Sequence, residues 1–169
     1  MRSGVRVGID VGKARIGVAR SDLHGMLATP VETVPRDPEG IADLDRLLGI
    51  VSELEAFEVV VGLPLNMRGE RTLSTDDATG FADSLALRLA AAGVPVRLVD
   101  ERLSTVSAQG QLRQAGKKTK QTRSIIDQAA AVVILQHALD SERAQGTAPG
   151  RPVEVPAAES AANAKERDA

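Results

Sequence analysis

The chain has 169 residues, 26% of them charged, and a formal net charge of −2: enough for one domain with a real core, and too balanced for a polycation, so any nucleic-acid contact must rest on a local basic patch. The absence of Cys excludes a disulfide framework and a thiolate zinc site; with no Trp or Tyr, Phe57 and Phe81 alone argue against a stacking platform for single strands. No apolar run reaches the roughly 18 residues of a membrane span, and the N-terminus lacks the apolar core of a signal peptide, so the sequence predicts a cytoplasmic protein with no membrane partner.

Val5, Val7, Ile9 and Val11 alternate with Arg6, Gly8 and Asp10, the period of a strand with one buried face. Asp10 then points away from that face, beside Gly8, which leaves room for a ligand. Gly12 permits a sharp turn, and residues 14–20 form a second strand that pairs back on the first. A carboxylate at a strand end beside glycines suits a divalent metal, although Asp is also common at strand ends and turns. The segment GIDVGKA is not a phosphate loop: one residue too few separates its glycines, and Ala14 stands where a Ser or Thr would be needed. Residues 26–34 read as a short strand that Pro30 keeps near an edge. Asp37-Pro38-Glu39 reads as a helix start, followed by the core stripe Ile41, Leu44, Leu47, Leu48, Val51 and Leu54.

Residues 58–63, EVVVGL, form a continuous apolar run typical of a strand covered on both faces. They lead into a loop carrying Asn66 and Arg68, and loops leaving the carboxyl ends of parallel strands are where open α/β sheets place their sites. A helix over 74–92 is capped by Ser74, carries Asp76 and Asp77 in its first turn, and is stopped by Gly93 and Pro95. The strand over 94–99 ends in Asp100-Glu101-Arg102. The pleat points Asp100 and Glu101 to opposite sides, so at most one should meet Asp10, and spacing leaves the choice open. A short helix over 104–115 precedes a dense basic run containing Lys117, Lys118, Lys120 and Arg123, suited either to phosphates or to a solvated loop. The helix over 124–139 is apolar on nearly every side and should lie against the sheet, with Asp127 in its first turn at capping-box spacing from Ser124. From Glu142 onward Ala, Pro, Gly and mixed charge predict a disordered tail, giving a domain over 1–141 and a tail over 142–169.

Three acidic elements stand at the ends of apolar elements: Asp10, the Asp100-Glu101 pair and Asp127. In a βββαβαβαα order the strand ends of a mixed sheet can converge beneath the buried last helix. Carboxylates gathered there repel unless cations neutralise them, and oxygen-only sites suit Mg2+ or Mn2+. Two such ions about 4 Å apart would activate a water and stabilise the leaving oxygen of a phosphodiester. His24 and His137 are poorly placed for catalysis.

The segments around these acids, GIDVGKARIGVA with Asp10, VGLPLNM with Asn66, DERLSTV with Glu101 and IDQAAA with Asp127, together resemble the YqgF/RuvX family over about residues 5–139. That family is itself similar to RuvC-type Holliday-junction resolvases. The resemblance implies an RNase H-like mixed five-stranded sheet flanked by helices, with Asp10, Glu101 and Asp127 as catalytic residues and Mg2+ or Mn2+ ligands. It selects Glu101 over Asp100 on resemblance alone. It sets Asn66 and the basic run (Lys117, Lys118, Lys120, Arg123) at the border of the substrate, with Arg68 and Arg102 as further candidates. The implied activity is a metal-dependent endonuclease, a hydrolase processing the 5′ end of pre-16S rRNA in ribosome biogenesis, as monomer or homodimer. The alternatives are a dimeric Holliday-junction resolvase acting on four-way DNA junctions and a non-catalytic RNA-binding assembly factor. Two features depart from the RuvC pattern: Ala130 stands where those enzymes carry a fourth acid, and the tail is extra. The resemblance of Asp10-Val11-Gly12 and Gly17 to an actin-like phosphate loop is set aside, because that architecture needs two lobes.

Overall fold

The computed structural model describes residues 1–101 and 120–155, with side chains from Ile125 onward in the second segment. In chain order the elements are β1 (Arg6–Val11), β2 (Arg15–Ser21), β3 (Ala28–Pro35), α1 (Ala42–Glu53), β4 (Glu58–Leu63), α2 (Leu73–Leu89, with a 3-10 turn over Ala90–Ala92), β5 (Val96–Asp100), α3 (Lys120–Gln145) and β6 (Arg151–Pro152). They form one mixed sheet in the order β3-β2-β1-β4-β5-β6. The β1–β2 and β2–β3 pairs are antiparallel, β1–β4 and β4–β5 are parallel, and β6 closes the other edge antiparallel to β5. This is the α/β sheet flanked by helices that the sequence predicts, with Pro30 on an edge strand.

Among the described residues six strands replace the expected five, and the reason also corrects the tail. Helix α3 continues past residue 141 to Gln145, and the chain then returns to the sheet edge. Arg97 donates to the carbonyls of Pro149 and Gly150, and the Val153 N–H donates to the Val96 carbonyl at 2.8 Å. Val153 and Val155 pack against the main core, so residues 142–155 belong to the fold. Residues 156–169 lie outside the described residues, as does the helix expected over 104–115.

Helix starts differ in instructive ways. Helix α1 begins at Ala42, because Asp37 folds ahead of it and its carboxylate accepts the Glu39 and Ala42 N–H groups from outside. Thr72, not Ser74, caps α2, in a reciprocal pair with Thr75. Thr75 also donates its hydroxyl to the Pro64 carbonyl, tying α2 to the loop after β4. Helix α3 begins at Lys120, which puts Asp127 in the helix interior. Asp127 therefore does not stand in a first turn opened by Ser124, the position that a capping role required.

The sheet has two unlike faces. Val7, Ile9, Ile16, Val18, Val59, Val61 and Leu98 pack with α1 and α2, including Leu47, Ile50, Phe81 and Leu85. The other face receives α3 through Ala131, Ile134, Leu135 and Ala138 against Ala19, Val60 and Val99. Glycines let α3 come close. A Cβ built on Gly8 would lie 2.6 Å from Leu135 Cβ, and one on Gly17 would overlap the Asp127 carbonyl. Gly8 therefore makes room for a helix rather than for a ligand. At the far end of α3, Glu142 accepts from both Arg2 and Arg6, and Arg2 also donates to Glu58, anchoring the helix across the sheet.

Candidate active site

Asp10 lies at the carboxyl end of β1 on the α3 face, the face it shares with Arg6 and Gly8 by the pleat. Its cross-strand partner is Gly17, and Asp127 of α3 sits directly over that glycine. The two carboxylates are close enough to interact. Burial, and secondarily the charge of Asp127, push the Asp10 carboxyl up to about 6. Two acids at one spot, one of them disfavoured as an anion, form a site with more negative charge than it can solvate.

Glu101 joins the same face by a route that spacing alone could not show. Strand β4 stands between β1 and β5, with Ile9 paired to Val61 and Gly62 paired to Val99. Continuing the pleat from Val99, which packs under α3, puts Glu101 on the α3 side and Asp100 on the opposite one. Glu101 is only 7% exposed, whereas Asp100 is at the surface. A Cβ on Gly62 would collide with the Glu101 carboxylate and lie 2.6 Å from Ile134 Cδ1. Gly62 thus supplies the gap through which Glu101 reaches over β4 toward the side of Asp10. Among the described residues, no three acidic or His groups are drawn tightly enough to hold one ion. Asp127 is instead turned to Arg15, whose Nε donates to its Oδ2 at 2.8 Å.

The remaining predicted residues divide sharply. Asn66 and Arg68 sit on the exposed loop after β4, and the Asn66 Oδ1 accepts the N–H groups of Arg68 (3.0 Å) and Glu70 (2.9 Å), so this side chain shapes its own loop. Lys120 and Arg123 fall in the first two turns of α3. Arg102, Lys117 and Lys118 lie outside the described residues. His24 and His137 are both exposed.

Three contributors escaped the sequence reading. Gly62 and Arg15 are two, and the signal for Arg15 was available: two residues before Gly17 on β2, it shares the face of Asp10. The third is Arg36, which stacks over Phe81 and pairs with Asp77 through both Nη atoms. The same guanidinium donates to the Gly12 carbonyl at 2.8 Å, clamping the turn that follows Asp10 to α2. Asp77 is held below the usual carboxylate range by that guanidinium.

A family model described as "RuvX: Holliday junction resolvase" matches residues 4–141. Proteins named "Putative pre-16S rRNA nuclease" include one from Clavibacter michiganensis subsp. michiganensis, 61% identical over 89% of this chain and 91% of its own length, and one from Leifsonia xyli subsp. xyli, 58% identical over 91% and 97%. Among solved structures, T. thermophilus RuvC in complex with a Holliday junction substrate superposes with a TM-score of 0.57 at 19% identity, covering 88% of this chain and 99% of that one. That likeness supports the RNase H-like fold. On the family match and its relatives together, the chain belongs to the RuvX family.

Proposed function

We propose that the chain is a divalent-metal-dependent endonuclease that hydrolyses phosphodiesters in structured RNA, with the 5′ leader of the 16S rRNA precursor as its target. The observation that carries this reading is the placement of Asp10, Asp127 and Glu101 on one face, at the carboxyl ends of β1 and β5 and under α3. The donor set fits a hard cation: carboxylate oxygens only, with Asp10 raised by burial and, secondarily, by the charge of Asp127, which a cation would offset. Asp10, Glu101 and Asp127 would hold Mg2+ or Mn2+. Bound there, the metal would lower the pKa of an attacking water and neutralise charge on the phosphodiester. The protein's own part is to keep these carboxylates oriented and shielded, through the Arg36 clamp on the Gly12 turn and the packing of α3. Arg68, Arg102, Lys117, Lys118, Lys120 and Arg123 are the cations assigned to the RNA backbone, with Asn66 shaping the loop that presents Arg68.

A junction-resolving activity is the second reading, favoured by the description of the family model. Ala130 counts against it, since a fully buried methyl stands where RuvC-type enzymes carry a further acid. It also needs a homodimer, so that paired strands are cut symmetrically. We place the protein in the cytoplasm; among the described residues no helix is long and apolar enough to cross a membrane.

The deciding experiment offers purified protein a 16S precursor leader fragment and a synthetic four-way junction, each with Mg2+, Mn2+ or EDTA. Leader cleavage that EDTA abolishes supports the ribosomal reading. Symmetric nicking of the junction alone replaces it with the resolvase reading. Tight RNA binding without cleavage in any metal points to an assembly factor.

A further inference from the structure

Arg15 is the one described cation in direct contact with the acidic cluster. It opens β2, its side chain is 36% exposed, and it meets Asp127 through Nε alone, at 2.8 Å. Among the described residues no hydrogen bond engages its two Nη groups. The planar fork best suited to a phosphate is thus open toward solvent while the guanidinium is held beside the acids. Structural arginines of this fold are bound differently. Arg36 engages Asp77 through both Nη atoms and stacks on Phe81, and Arg6 is fully buried with Glu142 and backbone carbonyls. A single, half-exposed contact is weak, easily screened and easily exchanged.

The partner of that contact matters as much as its geometry. Asp127 is a carboxylate that a divalent cation would need, and it lies over Gly17, the cross-strand partner of a second acid, Asp10. One monovalent guanidinium on Asp127 lessens the repulsion but cannot serve both acids, as a divalent ion between them could. Arg15 and a metal ion therefore compete for the same oxygen. A guanidinium displaced from Asp127 stays tethered at the rim of the cluster with its fork free, next to the position a scissile phosphodiester must take.

We propose that Arg15 is a substrate-phosphate ligand parked on Asp127: it holds the carboxylate in the cation-free protein, yields it to the divalent ion, and then binds the nucleic-acid phosphate. The proposal rests on the metal-site reading above and assigns a residue role within it. Its consequence is a sign reversal that a purely structural salt bridge does not produce. Removing Arg15 should make the metal bind more tightly and the substrate bind more weakly.

The test uses the full chain, with Asp10→Asn, Arg15→Gln and Arg15→Lys variants whose folding is checked by thermal unfolding. Free Mn2+ is titrated by electron paramagnetic resonance without nucleic acid, and binding of a leader RNA fragment is measured in Ca2+. The proposal expects Arg15→Gln to tighten Mn2+ binding about threefold, by loss of a competing surface ion pair, and to weaken RNA binding about fivefold or more. Arg15→Lys keeps the charge and stays nearer the wild type for Mn2+. Mn2+ affinity unchanged or weakened in Arg15→Gln overturns the proposal, and so does unchanged RNA affinity. Failure of the underlying reading looks different: Mn2+ binding that Asp10→Asn leaves intact means the cation is elsewhere, whatever Arg15 does.

Discussion

The face of the sheet under α1 and α2 and the face under α3 are built from different chemistry. The first presents Val7, Ile9, Ile16, Val18, Val59 and Val61 to Leu47, Ile50 and Leu85, an aliphatic interior with little room for polar atoms. The second mixes glycine and charge (Arg6, Gly8 and Asp10 on β1, Arg15 and Gly17 on β2, Glu58 and Gly62 on β4) with the apolar side chains Ala19, Val60 and Val99 that pack on α3. Aliphatic packing fills its space and lowers the free energy of the fold. Glycines opposite a helix leave gaps, and here those gaps are occupied by the Asp127 backbone and the Glu101 carboxylate. The lesson is a division across one sheet: one side is purely aliphatic, whereas the other combines an apolar core with the reactive charge.

Substitutions on the two faces should separate these roles. Gly17→Ala is the harshest, because its Cβ would overlap the Asp127 carbonyl and α3 would have to lift. We expect a loss of about 3 kcal/mol in urea unfolding, on the scale of an overpacked core, together with loss of nuclease activity. Leu47→Ala, fully buried on the opposite face, should cost about 3 kcal/mol as well. Its specific cleavage rate per folded molecule should nevertheless stay close to wild type, a contrast read by pairing denaturation with an activity assay. Gly62→Ala should cost only about 1 kcal/mol, since the colliding atom is the end of a flexible side chain, yet slow cleavage at least about tenfold by displacing Glu101.

The smallest effect is a pH dependence. Folded Asp10 holds its proton up to about 6, above its ordinary 3.8, so the folded state binds more protons than the unfolded chain between those values. Without divalent cations, stability should therefore rise as pH falls from 7 toward 4, by at most about 3 kcal/mol. Below that window the trend should reverse, as Asp77 takes up a proton and its pairing with Arg36 is lost. Thermal unfolding across pH checks the rise, which saturating Mn2+ should flatten.

How much of this was legible in the sequence follows the same division. The aliphatic face announces itself by period, so β1, β4 and Leu44, Leu47 and Val51 of α1 are read from spacing, although Ile41 of the expected stripe is exposed and Ile50, outside it, is buried. The α3 face depends on partners distant in the chain. Glu142 looks like the start of a solvated tail until Arg2 and Arg6 are placed across from it. Strand β6 is two residues long and exists because β5 offers an open edge, a pairing no local propensity encodes. The choice between Asp100 and Glu101 becomes physical once Val99 is known to face α3. Asp10 and Asp127 were visible as candidates; that Asp127 is held by Arg15 rather than by its own helix cap was not.

The most direct test of the division between faces is a paired measurement on Asp10→Asn: unfolding free energy at pH 7 without metal, and cleavage of the leader fragment with Mg2+. Removing an anion disfavoured by burial and, secondarily, by Asp127 should leave the fold at least as stable as wild type, by up to about 3 kcal/mol, while cleavage falls about a thousandfold or more. A variant that cleaves normally, or one that loses activity only because it unfolds, would contradict the account.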